Sequence, residues 1–259
     1  MRDVYPLVMG RFNRLMVESG IFHVTHRCHN QAHFLKFAKD RDAYRSKLRE
    51  GLSQVDVQLY EYAITSNHVH LLLEADEKSE VSCLMQRVAG EIASSYNRRK
   101  KRSNAFWGDS FHATLIQDGR YFFECLLYVE LNMVRCGVVP HPREWEWVGY
   151  HEIMGHRQRY RLIDLERLCW RLGCDSLATA RQRIETGLHE RIVQGQLQRM
   201  ECWSRALAVG SREFLEQFQA RHFTRAKTAI VEEPAGLCVL REDPLPYGLK
   251  SASKIADNN

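Results

Sequence analysis

The most constraining feature of the sequence is a pair of strand-like segments joined by a very short turn. Residues 55–64 alternate between apolar and polar side chains, and residues 68–74 are a second, mainly apolar segment. Only Thr65-Ser66-Asn67 separates them, and these residue types are typical of a turn. The two segments are therefore predicted to form a hairpin or closely coupled strands.

Helical and strand-like periods alternate through the rest of the first half. From Ser79 to Tyr96, apolar residues recur at helical spacing, and a further helix is predicted at about 120–136, ending at Gly137. The order β-α-β-β-α-β-α predicts an α+β fold, an antiparallel sheet with helices packed on it. The other elements predicted in this half are strands at 21–27 and 111–117 and a helix at 38–51.

The second half has a different character. Residues 141–156 are rich in His, Pro, Trp and Gly, and we interpret them as the connection out of a first domain. We expect one domain at 1–150 and a mostly helical C-terminal region at 151–259, with an extended polar tail from about residue 232. Helices of this region are predicted at about 163–172, 176–187, 190–209 and 211–225.

Composition excludes several classes of protein. The 259 residues are 44% hydrophobic and 27% charged, which excludes a disordered or fibrous chain. No apolar stretch approaches the roughly 20 residues of a membrane helix, and the first residues lack the apolar core of a secretory signal. The 8 cysteines are scattered without a Cys-x-x-Cys pair, which predicts reduced thiols in the cytoplasm. A net charge of +5 permits a nucleic-acid partner and does not require one.

The second predicted strand carries His68 and His70 two positions apart. Strand residues at this spacing project from the same face, so the two imidazoles lie side by side. Such a pair can hold one divalent metal ion. It can equally be a structural pair whose ring nitrogens are bonded to backbone carbonyls. The motif alone leaves both interpretations open.

The predicted helix at 120–136 carries a polar stripe on a mostly apolar background. The side chains of Glu124, Tyr128, Asn132 and Arg135 are spaced by 4, 4 and 3 residues and share one face. This stripe either faces a polar cavity or is the solvent face of an amphipathic helix.

Taken together, the histidine strand and the Tyr-x-x-x-Asn helix are similar to the HUH single-tyrosine transposases, and most of all to their REP-associated branch. The resemblance covers about residues 20–155, and a weaker similarity at 203–214 matches the C-terminal extension of some members. The motifs that carry it are Phe22-His-Val-Thr-His-Arg-Cys-His-Asn30, Asn67-His-Val-His-Leu-Leu-Leu73, Phe106-Trp-Gly108, Tyr128-Val-Glu-Leu-Asn-Met-Val-Arg135 and Trp147-Val-Gly-Tyr150.

This resemblance implies an HUH or ferredoxin-like catalytic core and a specific chemistry. Tyr128 would attack a DNA phosphodiester to give a 5′-phosphotyrosine and a free 3′-OH, which allows rejoining and strand transfer. His68, His70 and Asn132 would hold Mg²⁺ or Mn²⁺. The implied partner is single-stranded or hairpin DNA of the REP type, in the bacterial cytoplasm and at the nucleoid, and an oligomer is compatible with it. The alternative is a domesticated, catalytically weak protein that binds DNA hairpins.

Two further groups of residues have a functional and a structural interpretation. The basic run Arg98, Arg99, Lys100, Lys101 and Arg102 is predicted to grip a DNA backbone, and a solvated helix end explains it equally well. Phe106 and Trp107 could stack on an unpaired base, although core aromatics are more common. His23, His26 and His29 receive no role from the sequence, beyond the option that His26 lines the site.

Overall fold

The computed structural model describes residues 19–223, 228–233 and 236–242. Strands within these ranges form one seven-stranded sheet, and all neighbouring strands are antiparallel except the fourth and fifth, which are parallel. The strands are β1 (Gly20–Arg27), β2 (Val57–Ile64), β3 (His68–Ala75), β4 (His112–Ile116), β5 (Ala208–Gly210), β6 (Thr228–Glu233) and β7 (Leu237–Glu242). Their order across the sheet is β2-β3-β1-β4-β5-β7-β6.

The α-helices of the described ranges differ widely in length. They are α1 (Ala38–Leu52), α2 (Lys78–Lys100), α3 (Arg120–Glu130), α4 (Asn132–Arg135), α5 (Tyr150–Ile153), α6 (Leu165–Arg171), α7 (Leu177–Val193), α8 (Cys202–Arg205) and α9 (Arg212–His222). None of the described helices is both long enough and apolar enough to cross a membrane. The predicted α+β class is confirmed.

The predicted hairpin is present, with β2 and β3 joined by the turn at 65–67. The amide of Thr65 donates to the carbonyl of His68 at 2.9 Å, which closes the turn. β1 then lies on the other side of β3, so the histidine-bearing strand is covered on both edges. Central strands of this kind are held in one register, because a one-residue shift would move every side chain to the opposite face.

Helices pack on both faces of the sheet. Trp107 stacks on His26 of β1 and donates its indole N–H to the carbonyl of Ala89 in α2, so α2 lies on that face. The helix α3 packs on β2 and β3 from the other face. The predicted helix at 120–136 is divided, because the backbone of Leu131 (ψ 6°) leaves the helical region between α3 and α4.

The second half departs from the helices predicted for it at two points. Residues 177–193 form one continuous helix, so the predicted boundary near residue 188 is wrong. The predicted helix at 190–209 does not form, since α7 ends at Val193 and the rest of this range contains only the short α8 and the start of β5. The segment at 206–209 is short, apolar and buried, and periodicity cannot distinguish a buried strand from a helix at this length.

Strands from the second half extend the sheet begun by the first. β5 pairs with β4, and β7 pairs with β5, so the expectation that an extended tail begins near residue 232 is wrong for 237–242. Leu237, Val239 and Leu240 of β7 are buried in the core. The predicted tail beyond residue 242 and the predicted helix end at 224–225 lie outside the described residues. The division into 1–150 and 151–259 stays a prediction.

Candidate active site

The histidine pair lies on a sheet face that β1 also contributes to. In the β1–β3 register, Thr25 is opposite His70 and Arg27 is opposite His68. Since alternate residues share a face, His23 projects from this side as well. Its ring stacks on that of His70, with centroids 5.0 Å apart and an interplanar angle of 8°. The alternation in the sequence predicts the His68–His70 neighbourhood, and the structure adds His23 to it.

Hydrogen bonds connect the imidazoles in one continuous chain. His23 Nδ1 lies 2.6 Å from the carbonyl oxygen of Trp203, and His23 Nε2 lies 2.9 Å from His70 Nδ1. His70 Nε2 lies 2.9 Å from the side-chain nitrogen of Asn132. A carbonyl oxygen only accepts, so His23 Nδ1 donates to it. The chain therefore runs from Asn132 through His70 and His23 to the main chain of Trp203.

The three imidazoles of this face are uncharged near neutral pH. Burial lowers the pKa of His23 from 6.5 to about 4. Burial, together with the positive charge of Arg27, lowers the pKa of His68 to about 3, and burial lowers the pKa of His70 well below its usual value. Neutral imidazole is the form that binds a metal ion.

The predicted metal ligands fit a divalent cation in their donor atoms. The side-chain oxygen of Asn132 is buried and has no hydrogen-bond partner. His68 Nδ1 is engaged by Asn67 Oδ1 at 2.7 Å and Thr65 Oγ1 at 3.0 Å, so Nε2 is its available nitrogen. Within the described residues, no group of three or more His, Cys, Asp and Glu is arranged to hold a metal. The candidate set is thus two imidazoles and one amide oxygen.

Tyr128 reaches this face from α3. Its ring centroid lies 6.1 Å from that of His23 and 6.3 Å from that of His70, with edge-to-face geometry in both cases. The indole of Trp203 packs on it at 6.0 Å, and the guanidinium carbon of Arg135 lies 3.9 Å from its ring centroid. The predicted nucleophile and the predicted ligands therefore meet at one place in a single chain.

Burial makes the Tyr128 phenolate harder to form. The residue is only 5% exposed, and this burial raises its pKa above the ordinary value of 10.0. The positive charges of Arg135 and Arg199 act in the opposite direction. A catalytic role for this hydroxyl thus depends on nearby positive charge, as expected for a phenol that must act near neutral pH.

A cavity opens beside the histidines, and both halves of the chain line it. Its volume is about 370 Å³, and its wall includes Thr25, Arg27, His68, His70 and Ser204. His26 also reaches this wall, as the sequence allowed, while its ring stacks on Trp107 at 4.0 Å.

Sequence reasoning missed the contributions of His23, Arg199 and Trp203. The first stands in a correctly predicted strand, but its contact with His70 depends on the pairing of β1 with β3. The other two lie in a stretch predicted as part of one long helix. The weak similarity at 203–214 is the only sequence signal that pointed to this stretch.

The other polar members of the stripe divide between the site and the surface. Arg135 covers Tyr128, whereas Glu124 forms an ion pair with Arg191 and points away from the histidines into the second half. Phe106 is 2% exposed and belongs to the core. Trp107 is fixed by its bond to Ala89, so the structural interpretation holds for both aromatic residues.

The basic run at the end of α2 is partly committed to the fold. Arg99 forms an ion pair with the buried Asp40, and the guanidinium of Arg102 lies 4.1 Å from the ring centroid of Phe34. Arg98, Lys100 and Lys101 are exposed. Binding of DNA by this run stays a prediction.

A buried carboxyl pair is formed by Glu61 of β2 and Glu130 of α3. Glu61 and Glu130 are 0% and 1% exposed, and Glu61 Oε1 accepts from the amides of Tyr62 at 2.7 Å and Gly149 at 2.9 Å. Burial raises the pKa of Glu130 to about 8, and burial and the neighbouring Glu130 raise that of Glu61. Two carboxylates cannot both ionise at such close range, so the pair holds a proton.

Comparison with known proteins identifies the part of the chain that carries this geometry. Residues 16–130 match the family described as transposase IS200 like. This stretch is therefore similar to IS200-like transposases. The match bears out the predicted resemblance to transposases for the segment that contains His23, His68, His70 and Tyr128. No curated protein matches the chain.

Two solved structures are similar to this chain at low identity. One is a REP-associated tyrosine transposase bound to a REP hairpin, at 14% identity, covering 57% of this chain and 86% of its own, with a TM-score of 0.46. The other is a putative transposase from Deinococcus radiodurans R1, at 20% identity, covering 40% of this chain and 84% of its own, with a TM-score of 0.33.

Proposed function

We propose that the IS200-like domain nicks and rejoins single-stranded DNA through a covalent bond to Tyr128, as a transposase of the REP-associated branch. The observation that carries the proposal is the meeting of Tyr128 with His70 on one sheet face, at 6.3 Å between ring centroids. Asn132, the third predicted ligand, touches His70 from α4, which directly follows α3. Nucleophile and ligands come from one chain.

The reaction balances as a phosphoryl transfer. Tyr128 Oη forms a bond to phosphorus, the bond from phosphorus to the 3′ oxygen breaks, and the products are a 5′-phosphotyrosine and a free 3′-OH. The phenolic proton leaves to solvent, and the leaving 3′ oxygen gains a proton. Attack by a 3′-OH on the phosphotyrosine reverses these changes and releases Tyr128.

Each residue of the site has a defined task in this scheme. His68, His70 and Asn132 would hold Mg²⁺ or Mn²⁺, which when bound polarises the scissile phosphate. Arg135 places positive charge against Tyr128 and opposes the effect of burial on its pKa. Arg27, exposed at the end of β1, is placed to meet a phosphate beside His68.

The proposed substrate is a single strand carrying a hairpin of the REP type. Support for it comes from the sequence motifs and from the cavity beside His68 and His70, which has room for an unpaired part of the strand. The exposed cations Arg98, Lys100 and Lys101 would add sequence-independent affinity for the backbone.

The burial of Tyr128 favours a second candidate function. A nucleophile that is 5% exposed and lies under Trp203 is poorly placed for rapid turnover. A domesticated protein that binds hairpins and rarely cuts them accounts for this burial. The two functions differ in whether a covalent adduct forms.

The deciding experiment incubates the purified chain with labelled hairpin-bearing single-stranded DNA and Mg²⁺ or Mn²⁺, followed by a denaturing gel. We expect a covalent protein–DNA band that disappears in Tyr128→Phe and persists in Tyr121→Phe. Tyr121 is the matched control, because it lies on the same helix and is similarly buried, at 7% exposed. Specific hairpin binding without any adduct supports the binding protein instead.

A further inference from the structure

We propose that His23 is a positioning residue for His70, and that the main chain of Trp203 anchors it from the second half of the protein. This inference rests on the proposed function, since it concerns how a metal ligand of that site is held. It assigns a role to a histidine that the sequence left without one, and to a carbonyl 180 residues away.

The hydrogen-bond chain fixes which nitrogen of each imidazole carries the proton. A neutral imidazole has one N–H donor and one bare nitrogen acceptor. His23 donates from Nδ1 to the carbonyl of Trp203, so its Nε2 must accept. The donor to that nitrogen is His70 Nδ1, which leaves His70 Nε2 as a bare nitrogen. This is the nitrogen that accepts from the side-chain N–H of Asn132 at 2.9 Å.

His23 thus selects the tautomer of His70 that a metal site requires. If His23 were absent, His70 could carry its proton on Nε2 and point an N–H at the place where a cation would bind. Histidine ligands in proteins are generally held in this way, with the non-ligating N–H donated to a fixed partner. Here the fixed partner is a second imidazole backed by a peptide carbonyl.

Packing holds the His23 side chain in a single orientation. His23 is 0% exposed and His70 is 3% exposed, and their nearly parallel rings restrict rotation of either. On the sheet, His23 is paired with Leu72 of β3 and with Thr114 of β4. The side chain has no room to exchange its partners for solvent.

The carbonyl of Trp203 also makes the second half part of the site. It belongs to α8, which contacts β1 and β4. The indole of the same residue packs on Tyr128, so one residue of the second half touches both the nucleophile and the anchor of a ligand. Residues 16–130 alone, the matched transposase stretch, do not contain this component.

The chain offers a matched set of variants to test the anchor. His23→Gln retains an amide N–H and a carbonyl oxygen at about the reach of the imidazole. His23→Asn has the same groups on a side chain too short to span both partners, and His23→Leu has neither group. Thr114→Val is the control, because it removes a 2.9 Å bond from β4 to the Ala206 carbonyl of the same segment without touching His70.

The primary measurement is Mn²⁺ binding to the full-length chain without DNA, by calorimetry or by electron paramagnetic resonance. We expect His23→Leu and His23→Asn to weaken the Kd about 10- to 100-fold, with His23→Gln and Thr114→Val within about threefold of the original chain. Cleavage by the weakened variants should recover at saturating Mn²⁺, which separates positioning from a direct role in the reaction.

The outcomes distinguish the anchor from the proposed function. In one outcome the original chain binds Mn²⁺, His70→Ala does not, and the His23 variants bind as the original does. The positioning role of His23 is then wrong, and the proposed function stands. If His70→Ala binds Mn²⁺ with the same Kd as the original chain, the proposed metal site is wrong, and so is the positioning role of His23. If His23→Leu does not fold, the comparison of His23→Asn with His23→Gln decides, and equal Kd values overturn the anchor.

Discussion

Two polar regions of the first half each allow a functional and a structural interpretation in the sequence, and they differ sharply in the structure. The histidine face of the sheet collects its polar atoms into one hydrogen-bonded chain, from Asn132 to the carbonyl of Trp203. The basic run at 98–102 disperses its charges, with Arg99 bound to Asp40 and Arg102 stacked on Phe34. Strand pairing brings His23 and His70 into contact, whereas the high charge density of residues 98–102 does not bring those side chains to one place.

The largest effect is expected on the histidine face. His68→Ala or His70→Ala should lower the cleavage rate at least ~100-fold, because a bound cation contributes several kcal/mol of transition-state stabilisation. Hairpin affinity should change little, since backbone contacts elsewhere supply it. Single-turnover cleavage and a filter-binding assay on the same preparations measure the two quantities. Undiminished cleavage by both variants would remove the histidine face from the reaction.

A smaller effect is expected from the exposed part of the basic run. Replacement of Arg98, Lys100 and Lys101 together by alanine should weaken hairpin binding and reduce the salt slope by about 2 to 3, at roughly 0.7 to 0.9 for each phosphate that is no longer neutralised. The rate of cleavage by the bound protein should stay the same. Binding measured at several salt concentrations gives the slope. An unchanged slope would show that these three side chains do not contact DNA phosphates.

Arg99, which pairs with the buried Asp40, should affect stability rather than DNA binding. Arg99→Ala leaves Asp40 buried without its partner, at 3% exposed, and should lower the free energy of unfolding by about 1 to 3 kcal/mol. Lys100→Ala, one residue further along α2, is the control and should have little effect. Urea denaturation compares them, and equal midpoints would show that the Arg99–Asp40 pair contributes nothing.

The smallest effect concerns the carboxyl pair Glu61 and Glu130. The folded pKa of Glu130 is raised from 4.5 to about 8, so its protonated form favours the folded state. That stabilisation is complete below pH 4.5 and is lost as the pH rises through 8. Glu61→Gln, which retains an oxygen for the Gly149 amide and removes one ionisable group, should flatten this decline by on the order of 1 kcal/mol. Thermal melts from mildly acidic to mildly alkaline pH test it, and parallel curves would exclude the pair as the source.

The first half of the fold was predictable because local sequence decides it. The turn at 65–67 and the alternation around it place β2 and β3, and the i, i+4 spacing puts Tyr128 one turn from Asn132. These local rules placed His68 beside His70 and Tyr128 beside Asn132, and the family resemblance alone predicted that the two pairs meet.

What could not be predicted depends on contacts between distant segments. The role of His23 requires the register of β1 against β3 and a carbonyl near the other end of the chain. Pairing of β4 with β5 likewise joins segments far apart in the chain, and nothing in the apolar run 206–209 distinguishes this strand from a helix. Long-range pairing leaves no local pattern in a single sequence.

The parallel pairing of β4 with β5 sets an order of events during synthesis. A chain made from its N-terminus presents β1 to β4, with Tyr128 and all the predicted ligands, long before Trp203 leaves the ribosome. Closing this long loop carries an entropic cost that the earlier hairpin does not, so the last strands join slowly. Folding would then complete the site in two stages, with His70 and His23 in place first and the Trp203 carbonyl that bonds to His23 added last. Until Trp203 is in place, His23 lacks the carbonyl that fixes its ring, and His70 is held less firmly.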